Sequence, residues 1–109
     1  MGTWNLTCLA VVASLLATAS PASAQDAGDR DRGLAYAQKV CAECHAVRSG
    51  QKLSPHLGVA SFQTIANTPG MTGTALAVWL RSTHKNMPDI MIDPQDRADV
   101  IAYILSLKD

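Results

Sequence analysis

The sequence predicts an all-α domain of several short helices, and three observations carry that expectation. β-branched residues are scattered and no hairpin dipeptide joins two alternating runs. Four segments repeat apolar residues at helical spacing. Gly, Pro, Ser and Asn cluster between those segments, where turns are needed.

The first segment runs from about Asp31 to Val40, with Leu34, Ala37 and Val40 on one face. A loop rich in Gly, Ser and Pro follows from Arg48 to Leu57. Ser61 to Asn67 forms a short second helix, stopped by Asn67-Thr68-Pro69-Gly70. The third begins near Thr72 or Thr74 and reaches about Ser82, with Leu76, Trp79 and Leu80 on one face. The last has the clearest start: Asp93 as N-cap, Pro94 at the first helical position, and Asp96 and Asp99 near the positive end of the dipole. Its buried stripe is Val100, Tyr103, Ile104 and Leu107.

Ahead of these elements the chain reads as an export signal. An apolar run from Leu6 to Ala19 leads to Pro21 and then to Ala22-Ser23-Ala24, a small-x-small cleavage site before Gln25. The expected organisation is a leader over residues 1–24 and one domain over residues 25–109, exported to the periplasm. No Lys or Arg precedes the apolar run, which keeps an uncleaved anchor as the alternative; the run is nevertheless short of the about 20 apolar residues that a bilayer span needs. Cys8 falls within the leader, so Cys41 and Cys44 are the cysteines of the mature chain.

Those two cysteines carry the chemistry. In Cys41-Ala42-Glu43-Cys44-His45 two thiols stand three positions apart and a histidine follows the second, the attachment signature of c-type haem. Each thiol can add to one haem vinyl group, and the imidazole of His45 then lies beside the porphyrin, where it can take an axial position on the iron. The same Cys-x-x-Cys could open a zinc site or a redox dithiol. Zinc lacks a second closely spaced ligand pair, with only His56 or His84 to complete it, and a thioredoxin-like dithiol lacks its βαβ context. A domain of this size has too little apolar core for comfortable stability, and a covalent haem would supply the missing apolar plate; the chain without it should fold poorly.

Met87 is the first candidate for the opposite axial position, because it lies in the loop after the third helix and Pro88 stiffens that loop. Met91 is the rival, and reads better as a core gap-filler; Met71 reads as packing.

The chain resembles small bacterial class I cytochromes c over essentially the whole domain. The resemblance rests on Gly33 ahead of the first haem cysteine, Cys-Ala-Glu-Cys-His-Ala-Val, Ser54-Pro55, His84-Lys85-Asn86-Met87-Pro88, and the closing run from Asp99 to Leu107. It implies a cytochrome c fold in which the N- and C-terminal helices cross beside one covalent haem, with Gly33 letting Tyr103 come close. It also implies His45/Met87 ligation of the iron, and a proline carbonyl, here Pro55, accepting the hydrogen bond of the histidine Nδ1. Trp79 could reach a haem propionate but is expected in the core, Arg48 and Lys52 are expected to be solvated, and Tyr36 stands one position from the family's aromatic site on the first helix.

The functional expectation is a periplasmic one-electron carrier and not an enzyme. The alternatives are an electron-accepting subunit of a periplasmic dehydrogenase complex, or a haem enzyme or gas sensor with an open iron site. Expected partners are redox proteins, a donor dehydrogenase and an acceptor oxidase or reductase, with the chain acting as a monomer or as a subunit of a redox complex. Charge is balanced at 9 basic and 9 acidic residues but unevenly placed. Lys39, Arg48, Lys52, Arg81 and Lys85 face only Glu43, whereas Asp89, Asp93, Asp96, Asp99 and Asp109 outweigh Arg97 and Lys108. A concentrated basic stripe with aromatic platforms is missing, which excludes nucleic acid as a partner.

Overall fold

The computed structural model describes residue 1 and residues 28–109. The predicted cleavage site and all but the first residue of the predicted leader lie outside the described residues. Four helices follow in order, α1 (Arg30–Val40), α2 (Phe62–Ala66), α3 (Gly73–Trp79) and α4 (Pro94–Ser106), and no strand occurs among the described residues. No helix among them is long and apolar enough to cross a membrane.

Each helix starts where a side-chain oxygen can take up a free backbone N–H. Asp29 accepts from the amides of Asp31 and Arg32, both at 2.9 Å, which starts α1 at Arg30. Ser61 caps α2 through the Thr64 amide, and Thr72 caps α3 through the Ala75 amide, both at 3.1 Å. Asp93 caps α4 through the Gln95 amide with Pro94 at the first position, as its sequence implies.

α4 is the spine of the fold. α1 makes the most extensive contact with it, and α2 and α3 pack on it separately. The predicted stripe is buried in full, since Val100, Tyr103, Ile104 and Leu107 all lie in the core with Ala37 of α1, Phe62 and Ala66 of α2, and Leu76 of α3. Two glycines permit the α1 contact. A Cβ on Gly33 would stand 2.0 Å from the Asp99 carbonyl oxygen and 2.8 Å from the Tyr103 Cβ, and one on Gly28 would stand 1.9 Å from the Ala98 oxygen. The backbones meet where only glycine fits.

Asp99 departs from its expected role. Only Asp96 is the acid of the first turn of α4, while Asp99 is 2% exposed and ties α1 to α4. Its carboxylate accepts from Arg32 Nε at 2.8 Å and Nη2 at 3.2 Å, from the Asp29 amide at 2.7 Å and from Gln95 Nε2 at 3.1 Å. A buried carboxylate needs such partners, and here they come from both helices.

Two residues expected in the core are not covered by the protein's own side chains. Trp79 is 54% exposed, because α3 ends at that residue and meets α4 through Gly73, Leu76 and Leu80 instead. Met91 is 93% exposed, and its neighbour Ile92 takes the buried place. Met71 does pack against the core.

Candidate functional site

The haem-attachment motif is wound directly off the end of α1. The amides of Cys41 and Ala42 both donate to the Ala37 carbonyl, at 2.8 and 2.9 Å, and those of Cys44 and His45 both donate to the Cys41 carbonyl, at 3.1 and 2.9 Å. Cys41, Cys44 and His45 are thereby gathered on one tight turn, each half-buried, with the two thiols not joined to each other. Burial pushes the Cys41 thiol up to about 11. A redox dithiol also lacks its βαβ context, since no strand occurs among the described residues. Zinc fares no better, because no group of three His, Cys, Asp or Glu side chains that could hold a metal forms among the described residues.

The ring of His45 is oriented by its Nδ1, which lies 2.7 Å from the carbonyl oxygen of Ala60. A carbonyl can only accept, so Nδ1 carries a proton, and in the neutral imidazole the lone pair is on Nε2. That is the tautomer an iron ligand requires. The acceptor is Ala60 and not Pro55, which lies exposed in the preceding loop. The reason is the path of the chain. Residues 48–59 loop away and touch the motif through the Ser54 hydroxyl and the His56 amide, and the acceptor for the ring comes from residues 60–62, where the Phe62 amide also donates to the Ala46 carbonyl at 2.9 Å. Any residue can offer a carbonyl, so the sequence holds no mark of this one.

Further contacts fix the turn from behind. The Phe62 ring lies 5.4 Å from that of His45 and 6.4 Å from that of Tyr103, tilted in both cases. Tyr103 donates its hydroxyl to the Val47 carbonyl at 2.5 Å, which joins α4 to the residues just after the motif. Burial raises the pKa of this phenol, so the donor proton is retained. Ser54 Oγ accepts from the Ala46 amide at 3.0 Å. Sequence reasoning gave no role to Phe62 or Ala60 and read Ser54 only as part of the Ser54-Pro55 pair; a lone Phe after a helix cap was a signal for Phe62.

Met87 lies on the separate loop between α3 and α4 and is half-buried. Its amide closes a turn onto the His84 carbonyl at 3.1 Å, and Asn86 inside the turn has φ 65°. Asparagine tolerates that left-handed conformation better than other side-chain-bearing residues. Pro88 then fixes the exit. His84 packs edge-on against Trp79 at 5.0 Å and donates from Nδ1 to the Ser82 carbonyl at 3.0 Å, while His56 is exposed. Arg48 and Lys52 are exposed.

Residues 31–108 match the Cytochrome c family. The chain belongs to the cytochrome c family. It is 35% identical over 94 residues to cytochrome c-552 of Bradyrhizobium diazoefficiens, a stretch that covers 86% of this chain and 89% of that protein. No solved structure gives a significant match. Membership makes this a small bacterial class I c-type cytochrome with the all-α cytochrome c fold, and its cofactor a covalently bound c-type haem with iron. The residues present suit that group. Two unjoined thiols and an imidazole with a free Nε2 share one turn, which is the donor set that a covalent haem needs on its proximal side. A cytochrome c of this kind is a haem-based electron carrier.

Proposed function

We propose that this cytochrome c is an exported, periplasmic one-electron carrier whose haem is attached through Cys41 and Cys44 and ligated by His45 and Met87. One observation carries the reading: His45 directly follows the second cysteine and donates Nδ1–H to the Ala60 carbonyl, leaving Nε2 as the ligand atom. When bound, the haem supplies a one-electron ferric/ferrous couple. The chain's part is to keep both sides of the plate closed and to hold each ligand in one orientation, so that little reorganises when the charge changes. Met87 suits the second side because its loop is fixed by the His84–Met87 turn and by Pro88, whereas Met91 is followed by Ile92 and has no such restraint. A thioether ligand favours the ferrous state relative to a second histidine and raises the potential.

With both positions filled the site needs no substrate, which supports a carrier and not an enzyme. Export is supported by the Leu6–Ala19 run and the Ala22-Ser23-Ala24 cleavage pattern. The test is covalent attachment. In haem-stained denaturing gels of the exported protein, Cys41→Ser or Cys44→Ser weakens the band and the double substitution removes it. A double variant that keeps covalent haem contradicts the proposal.

A further inference from the structure

The acceptor for His45 is the carbonyl of an alanine, and alanine does not fix its own backbone. A proline ring locks φ; Ala60 has no such restraint, so the direction of its carbonyl must be held by neighbours. The hydrogen bonds around it identify them. His45 Nδ1 meets the Ala60 oxygen at 2.7 Å, the Phe62 amide meets the Ala46 oxygen at 2.9 Å, and the Ala46 amide meets Ser54 Oγ at 3.0 Å. Residues 45–46 are thus held by the 60–62 segment, by the His45 amide on the Cys41 carbonyl, and by the Ser54 hydroxyl on the Ala46 amide. Ala46 is 3% exposed, so without that hydroxyl its amide would be left buried and unpaired. The 60–62 segment is firm in its own right, since Ser61 is 2% exposed and caps α2. The Ser54 hydroxyl is the one side-chain contact in this set that a substitution can remove while leaving both ring contacts of Phe62 in place.

We propose that Ser54 is a positioning residue for the axial imidazole. By accepting the Ala46 amide it fixes the backbone that follows His45 and keeps Nδ1–H directed at the Ala60 carbonyl. A strong bond at Nδ1 makes the imidazole a better donor to the metal, and a better donor stabilises the ferric state. Ser54 therefore acts on the potential through His45 without touching the haem. This inference rests on the reading of His45 as the proximal ligand.

The experiment compares holo wild type with Ser54→Ala and Ser54→Thr. Two quantities are read: solvent exchange of the His45 Nδ1 proton by NMR, and the reduction potential. Ser54→Ala should speed that exchange about tenfold and move the potential in the positive direction, and Ser54→Thr, which keeps an Oγ, should restore both. A folded Ser54→Ala protein with wild-type exchange and potential overturns the proposal. Amide exchange in wild type keeps the test open should Ser54→Ala fail to fold, because an accepted Ala46 amide must be among the slowly exchanging ones and a fast one overturns the proposal equally. Failure of the underlying reading is distinct, since the wild-type spectrum would then lack the strongly shifted ring resonances of an iron-bound His45.

Discussion

Gly33 lies against the backbone of Asp99 so closely that a Cβ would stand 2.0 Å from the Asp99 carbonyl oxygen. The obstacle is backbone and not a flexible side-chain end, so neither helix can yield locally. Gly33→Ala should drive α1 from α4 and disturb the Tyr103 contact with it. Overpacking of this kind costs about 3 kcal/mol or more. Urea unfolding of the holoprotein should register the loss as a lower midpoint; a Gly33→Ala protein as stable as wild type would contradict the crossing.

The same crossing predicts an acid limb in the stability profile. The hydrogen bond from Arg32, helped by the Asp29 amide, the Gln95 amide and the Arg32 charge, holds the Asp99 carboxyl at about 2 against the opposing effect of burial. Its folded pKa lies below the unfolded value of 3.8, so its stabilisation is complete above that value and is lost as pH falls towards 2. Thermal unfolding between pH 5 and about 2 should therefore decline less steeply for Asp99→Asn than for wild type. At neutral pH the variant should be less stable by about 2 kcal/mol, the scale of a charge-assisted bond. Parallel profiles would mean that Asp99 carries no such role.

The helices were legible in the sequence where local chemistry decides them. Asp93-Pro94 marks the start of α4, and the stripe from Val100 to Leu107 names its buried face, because capping and periodicity act within one element. The cofactor was legible for the same reason, since the attachment motif is local. What stayed hidden depends on a second segment. Asp99 looks like any acid near a helix start until Arg32 and the Asp29 amide reach it. The Ala60 carbonyl, the Ser54 hydroxyl and the Tyr103 bond to Val47 are choices of chain path that no residue type signals. Trp79 reads as core from periodicity alone, yet α3 ends at that position and leaves it 54% exposed.

The two loop methionines should separate cleanly. Met87→Ala should open the iron to carbon monoxide, abolish the methionine–iron charge-transfer band and lower the potential. Met91 is 93% exposed, so Met91→Ala should leave band and potential at wild-type values and change stability by less than about 0.5 kcal/mol. Loss of the band in Met91→Ala alone would reverse the ligand assignment.

Charge placement makes a prediction about encounter. No Asp or Glu occurs between Cys44 and Pro88, a stretch that holds Arg48, Lys52, Arg81 and Lys85, all exposed. The ion pairs among the described residues all involve Arg32. Electron transfer to an acidic redox protein should slow as salt rises, with screening over about 10 Å at 0.1 M. Lys52→Glu and Lys85→Glu should flatten that dependence. A rate independent of salt in wild type and variants alike would leave recognition to apolar contacts.

A covalent haem closed on both sides by His45 and Met87 is tested by the reduced-minus-oxidised optical spectrum of the exported protein, taken with and without carbon monoxide. A c-type spectrum that does not change on adding carbon monoxide is expected, from a haem that resists acid-organic extraction. An extractable haem, or a wild-type spectrum that shifts with carbon monoxide, would contradict it.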